Sequence, residues 1–237
     1  MTTVLITGAN RGIGLALVRR YADVGANIIA CCRDPATAGE LRGLEATFDP
    51  RVRIMQLDVA KESSVASIGK ALGDQAIDII INNAGILGPE AQSASYIDAE
   101  GWMNTLRVNA LAPVLIAIAL RHNLKRGVEK KLVAITSVYG STAVDYGASV
   151  PTGVNRYAYR ASKAALNNGM RALARDWAGD GIIVGLLDPG WVQTGMTGGV
   201  GKLSPDESAQ GIIDRIAELQ PVSSGTFQRY WGEAIPW

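Results

Sequence analysis

The stretch Val4-Leu5-Ile6-Thr7-Gly8-Ala9-Asn10-Arg11-Gly12-Ile13-Gly14 runs from a β-branched segment into a glycine-rich turn and on into a helical pattern. Val4–Ile6 predicts a short buried strand. Gly12–Val24 then places Ile13, Ala16, Leu17, Arg20 and Tyr21 at helical spacing, which predicts an amphipathic helix. Glycines in such a turn let the backbone bend sharply and approach a pyrophosphate, whose charge then rests on the helix N-terminus. The spacing is G-x-x-x-G-x-G rather than G-x-G-x-x-G, so the usual dinucleotide fingerprint does not literally apply. Its position decides the reading: it opens the first βα unit, where a doubly wound sheet holds a nucleotide.

Further runs follow at Asn27–Cys32, Val52–Leu57, Ile77–Ile81, Leu132–Thr136 and Ile182–Leu187, with helical patterns between them, one of them over Ala36–Ala46. These runs are largely apolar on successive residues, as strands covered on both faces should be. Strands alternating with helices predict βαβ units and a Rossmann-like, doubly wound parallel α/β sheet with helices on both faces. Thr226–Trp231 offers one further strand. No linker, repeat or low-complexity segment divides the chain, so residues 1–237 are expected to form a single domain.

Composition narrows the classes of function. Lys and Arg number 23 against 22 Asp and Glu, a net charge of +1, which leaves no broad basic face for nucleic acid or an acidic membrane. With 48% hydrophobic residues the chain has ample apolar surface for a core. The longest apolar stretch, Ala110–Leu120, is interrupted by Pro113 and falls short of the ~20 residues that span a bilayer. The N-terminus has no basic n-region, and the adjacent Cys31 and Cys32 are expected as buried reduced thiols. A cytoplasmic location is therefore expected. No His, Cys or carboxylate cluster has metal-ligand spacing, and the single His122 is expected at a solvated helix end.

With these motifs in order, the sequence resembles the compact single-domain branch of the short-chain dehydrogenase/reductase family over nearly its whole length. Thr7–Gly14 looks like the family's TGxxxGIG turn, implicating Gly8, Asn10, Arg11, Gly12, Ile13 and Gly14 in cofactor binding. Asp58-Val59 looks like the pair that receives the adenine, and Asn82-Asn83-Ala84-Gly85 is similar to the NNAG motif. Pro189-Gly190, with Val192 and Thr194, resembles the loop beside the nicotinamide, while Asn109, Ser137, Tyr159 and Lys163 match the catalytic tetrad. The resemblance implies hydride transfer between nicotinamide and a carbonyl or alcohol carbon, with Tyr159 as general acid and base. By the same resemblance Lys163 holds the nicotinamide ribose, Ser137 the substrate carbonyl, and Asn109 a water that links Lys163 to solvent.

Residue chemistry adds detail. Tyr159 and Lys163 stand at i and i+4, on one helix face, where an ammonium is expected to favour the phenolate and lower the phenol pKa. Tyr157 has Ala161 four residues on and no base; Thr136 is a hydroxyl adjacent to Ser137. NAD-preferring relatives carry an acid at the end of the second strand; here Cys32 stands in that place, followed by Arg33. Arg33 and Arg11 suit a 2′-phosphate, so NADP(H) is expected over NAD(H). Asp34, ahead of Pro35, is expected to cap the next helix.

Arg156–Asn167, Pro189–Gly199 and the C-terminal Tyr230–Trp237 resemble sniffer-like carbonyl reductases and C-factor-like proteins. Ser137 and Tyr159 stand 22 positions apart, more than is common in the family, so Tyr139–Arg156 is expected to form a loop over the substrate mouth. Residues 191–207 are expected as a glycine-rich flap before a capped helix, with Tyr139, Trp191 and Met196 as an apolar substrate wall. A small or medium hydrophobic aldehyde or ketone fits that reading. The competing readings are an NADPH-binding signalling protein with incidental turnover, and an epimerase or lyase, whose relatives usually carry a longer chain. The resemblance also implies a homodimer or homotetramer, paired through helices around Trp102–His122 and Ala158–Ala178.

Overall fold

The computed structural model describes residues 1–144 and 156–237. Seven parallel strands form one sheet in the order β3-β2-β1-β4-β7-β8-β9: β1 (Thr3–Thr7), β2 (Asn27–Cys32), β3 (Val52–Gln56), β4 (Ile79–Asn82), β7 (Lys131–Ile135), β8 (Ile183–Asp188) and β9 (Thr226–Arg229). A two-stranded antiparallel hairpin, β5 (Gln92–Ser93) and β6 (Tyr96–Ile97), stands apart from it. The strand order reverses direction between β1 and β4, which opens a crevice at the carboxyl ends of those strands.

Alternation along each strand feeds two apolar layers. Val4 and Ile6 join one cluster and Leu5 the other; Ile79 and Ile81 oppose Ile80 in the same way. One layer lies under α1 (Gly12–Asp23), α2 (Gly39–Thr47) and α8 (Pro205–Glu218); the other lies under α3 (Glu62–Leu72), α5 (Ala112–Ala119) and α7 (Tyr157–Asp176). Cys31 and Cys32 fall into opposite layers, and this separation keeps both thiols free.

Three expectations need correction. The helix over Ala36–Ala46 is split: Asp34 accepts the Ala36 N–H at 3.1 Å and caps a short 3-10 turn, Pro35–Thr37, after which Ala38 breaks helical geometry before α2. The helix around Trp102–His122 is α4 (Ala99–Leu106), a π turn over Arg107–Leu111, α5, and α6 (Arg121–Arg126). Pro113 has no N–H for the Asn109 carbonyl four residues earlier, and the ladder widens so that the Ala112 N–H reaches the Arg107 carbonyl. Finally, Ala99–Ala119 forms a continuous helical run of 21 residues that is long and apolar enough to cross a membrane by length and composition. Its Ala112, Ile116 and Ala117 are buried on the sheet, while Leu111 and Ile118 are exposed. The expected loop Tyr139–Arg156 lies largely outside the described residues.

Candidate active site

The carboxyl ends of β1, β4, β7 and β8 carry the site. At the end of β1, the Thr7 hydroxyl accepts the Asn83 and Ala84 backbone N–H groups, each at 3.0 Å. The Asn83 side-chain amide donates to the carbonyls of Thr7 (2.9 Å) and Gly8 (3.2 Å). Asn83 therefore holds the glycine turn against β4, with Ala84 and Gly85 following at the crevice floor. Gly8 and Gly12 have φ of 65° and 55°, a region that glycine enters freely. A Cβ on Gly14 would lie 2.2 Å from the Gly8 carbonyl oxygen, so only glycine fits there. Arg11 precedes α1 in extended backbone, with no side-chain cap and no acid in the first helical turn. Asn10 precedes it in the turn, and Ile13 stands in the first turn of α1. The helix N-terminus is left open to an anion.

Along the crevice, Cys32 is buried at the end of β2 and Arg33 is exposed beyond it. Asp58 accepts the Ala60 N–H at 3.2 Å and lies 3.5 Å from the Lys61 ammonium, and Val59 packs against the lower core. An open helix N-terminus, glycines under close approach and two arginines with no acidic partner among the described residues suit a phosphorylated dinucleotide.

Ser137, Tyr159 and Lys163 converge beyond β7. Ser137 caps a short 3-10 turn, Val138–Gly140, its hydroxyl accepting the Tyr139 N–H at 3.2 Å. It is close enough to the Tyr159 phenol to act on its pKa. Thr136 is used elsewhere, donating to the Asn167 side chain at 2.6 Å. Lys163 donates to the Ile135 carbonyl at 2.8 Å, and its ammonium sits 5.7 Å from the Tyr159 ring centre. Burial lowers Lys163 to about 8, opposed by the negative charge of Asp188.

The phenol departs from expectation. Burial is the largest influence on Tyr159 and pushes it up to about 12; the Ser137 hydrogen bond lowers it, Asp188 raises it and Arg156 lowers it. The anticipated lowering is not what results: desolvation dominates, and the phenol holds its proton at neutral pH. Asp188 escaped the sequence reading. It is buried at the end of β8, accepts the Val138 N–H at 2.8 Å, and its own pKa is raised by burial. A lone carboxylate closing the apolar run Ile183–Leu187 was the available signal.

Asn109 is fully buried in the π turn. Its side chain accepts the Ile86 N–H (2.9 Å) and donates to the Ile86 carbonyl (2.8 Å) and the Ser162 hydroxyl (3.0 Å). Those bonds occupy the amide, so the side chain clamps the segment after Gly85 and is not a free water ligand. Pro189-Gly190 follows β8, Gly190 having φ of 81° with Leu203 and Tyr230 packed where a Cβ would stand. Val192 is buried and bridges to Leu203, and Thr194 approaches Gly12, so this loop closes on the glycine turn. Residues 191–203 form a tied loop: Gln193 N–H donates to the Leu203 carbonyl and Lys202 N–H to the Trp191 carbonyl, each at 2.8 Å. Ser204 and Glu207 form a capping box at the start of α8.

Of the three expected wall residues, Met196 lines the cleft, while Tyr139 packs edge-on against Tyr159 with ring centres 6.5 Å apart. Trp191 is 53% exposed and does not line it. The walls come instead from Ile86, Leu87, Pro89 and Gln92, directly after the Asn82–Gly85 motif, and from Arg156. His122 is exposed and sits 2.8 Å from Asp74. Among the described residues, no cluster of three or more His, Cys, Asp or Glu side chains could hold a metal ion.

A doubly wound parallel sheet with a glycine turn after β1 and a Tyr–Lys helix beside the crevice defines a dinucleotide-binding oxidoreductase fold. The family model for short chain dehydrogenases matches residues 2–203, and the chain belongs to the short-chain dehydrogenase/reductase family. C-signal of Myxococcus xanthus is 36% identical over 161 residues, covering 68% of this chain and 93% of C-signal. The NADPH-bound carbonyl reductase from chicken fatty liver superposes with a TM-score of 0.91 at 30% identity, covering 100% of this chain and 99% of that one. Carbonyl reductase Sniffer of D. melanogaster does so with a TM-score of 0.85 at 29% identity, covering both chains fully.

Proposed function

We propose that the protein is an NADP(H)-dependent carbonyl reductase, with Tyr159 as the proton donor. The observation that carries this reading is the buried Tyr159 phenol at the edge of the crevice, with Ser137 beside it and the Lys163 ammonium 5.7 Å from its ring centre. When bound, the cofactor supplies the hydride, and the protein's part is to orient and polarise. Gly8–Gly14 and the α1 N-terminus hold the pyrophosphate, Asp58 and Val59 border the adenine, and Pro189–Thr194 flank the nicotinamide. Ser137 hydrogen-bonds the substrate carbonyl, and Tyr159 gives it a proton. Lys163 holds the ribose and keeps its charge close to the phenol. A water on the Asn109 carbonyl, which Pro113 cannot serve, returns the proton from solvent. The substrate is a small or medium aldehyde or ketone, and a second copy of the chain covers the exposed face of α5.

Loss of NADPH absorbance with a panel of aldehydes, ketones and diones tests this reading. The match to C-signal favours a second one, a cofactor-binding signalling protein; tight NADPH binding without turnover across the panel would select it. Because Lys163 titrates at about 8, carbonyl reduction should be level from pH 6 to about 8 and fall above it as the ammonium loses its proton. In Lys163→Met the remaining activity should show no such step; a wild-type profile level to pH 10 contradicts the role of the ammonium.

The cofactor preference rests on Arg33 and Arg11. Arg33→Asp removes one cation and places an anion where the 2′-phosphate is expected. The NADPH/NADH ratio of kcat/KM should fall by about a hundredfold, two charge-assisted contacts at roughly 1.4 kcal/mol each. An unchanged ratio removes Arg33 from the cofactor site.

A further inference from the structure

The reductase reading leaves one charged group in the cleft without a task. The cleft has a volume of about 670 Å³, in the range of a small-molecule site, and its charged lining residues among those described are Arg11, Arg156 and Glu90. Arg11 belongs to the glycine turn, and its guanidinium lies near Gly195. Arg156 stands immediately before α7 and one helical turn ahead of Tyr159.

Its position is fixed from two sides. The Arg156 carbonyl accepts the Arg160 N–H at 2.9 Å, starting the helix, and the buried Gln92 accepts the Ala158 N–H at 2.8 Å, pinning that first turn to the opposite wall. The guanidinium is different: it makes no hydrogen bond and no ion pair with any described residue. It is half-buried, lines the cleft, and its charge acts on the Tyr159 phenol. The neighbouring walls combine apolar Ile86, Leu87, Pro89 and Met196 with polar Gln92 and Thr197. Glu90 is the one acid lining the cleft among the described residues; it is exposed and makes no ion pair there.

Resting on the reductase reading, we propose that Arg156 selects carbonyl substrates carrying a carboxylate, held bidentately while the carbonyl reaches Ser137 and Tyr159. A planar guanidinium matches a carboxylate in two parallel hydrogen bonds, and Ile86, Leu87, Pro89 and Met196 offer apolar contact to the rest of the molecule. An oxo-acid with an apolar spacer satisfies both the cation and the walls. A wholly hydrophobic carbonyl leaves the cation unused.

The test compares two aldehydes that differ only in charge, 4-carboxybenzaldehyde and methyl 4-formylbenzoate, in NADPH-dependent reduction. In the wild type the acid/ester ratio of kcat/KM should exceed about tenfold at low salt and shrink as salt is added. Arg156→Ala should bring the ratio to about one, and Arg156→Lys should keep part of it. Taking a ratio cancels any general effect of the substitution on the phenol or on folding. A wild-type ratio near one, or a preference that survives Arg156→Ala, overturns the proposal.

Calorimetric titration of the NADPH-treated protein with 4-(hydroxymethyl)benzoate and its methyl ester reads the same contact without turnover. If neither aldehyde is reduced but the acid binds and Arg156→Ala abolishes that binding, the reductase reading fails and the anion site stands. Equal binding of acid and ester, or acid binding unchanged in Arg156→Ala, overturns the anion site whatever the activity.

Discussion

Tyr159→Phe should lose carbonyl reduction by about 10²- to 10⁴-fold, the range over which positioned general acids act, while NADPH affinity stays within a few-fold of wild type. The substitution removes one oxygen and keeps the ring. The edge contact with Tyr139 and the ammonium of Lys163 over the ring both remain. What disappears is the proton that burial holds on the phenol up to about pH 12. Fluorescence titration with NADPH and steady-state kinetics on the same preparation separate binding from chemistry. Retention of more than about a tenth of wild-type turnover assigns the proton to another group, and a parallel loss of NADPH affinity makes Tyr159 a packing residue.

Gly14→Ala should damage both the fold and the cofactor site. The new methyl would lie 2.2 Å from the Gly8 carbonyl oxygen and 2.6 Å from the Asn83 amide nitrogen. Neither can retreat easily, because that oxygen accepts from Asn83 and Gly8 itself is confined by Ala84. Overpacking against backbone of this kind costs about 3 kcal/mol, which for a chain of this size lowers Tm by about 6–12 °C. NADPH affinity should fall with it, since the displaced turn is the expected pyrophosphate cradle. Gly43→Ala is the control: it lies inside α2 with nothing within 4 Å of the added Cβ, and should gain up to about 1 kcal/mol from helix propensity. Thermal melts of the two variants, side by side, test whether close approach or glycine content as such matters.

Asp188 and Arg156 show what a linear reading passes over. Both are charged residues in segments whose neighbours carry a familiar pattern, Pro189-Gly190 after one and Tyr159 after the other. Their significance comes from what faces them. Asp188 is buried behind Val138, and its charge acts on Lys163 and Tyr159 together. Arg156 faces a wall formed by residues 86–92, some seventy positions earlier in the chain. Trp191 shows the reverse error: an aromatic next to a motif was expected in the substrate wall, yet the tied loop turns it outward.

The sequence by itself determined the parallel sheet, because short apolar runs alternating with helical patterns fit strands joined by crossover helices, and it determined the glycine turn, because that turn is local backbone geometry. It also placed Tyr159 and Lys163 on one face, since helical spacing is a property of the chain. Tertiary structure alone decided the protonation state of that pair. Desolvation depends on everything packed around a group, and here it is the largest influence on both the phenol and the ammonium. Tertiary structure likewise decided the role of Asn109, whose amide is occupied by Ile86 and Ser162 once the π turn carries it inward. Periodicity fixes which way a side chain faces; only packing fixes what it meets there.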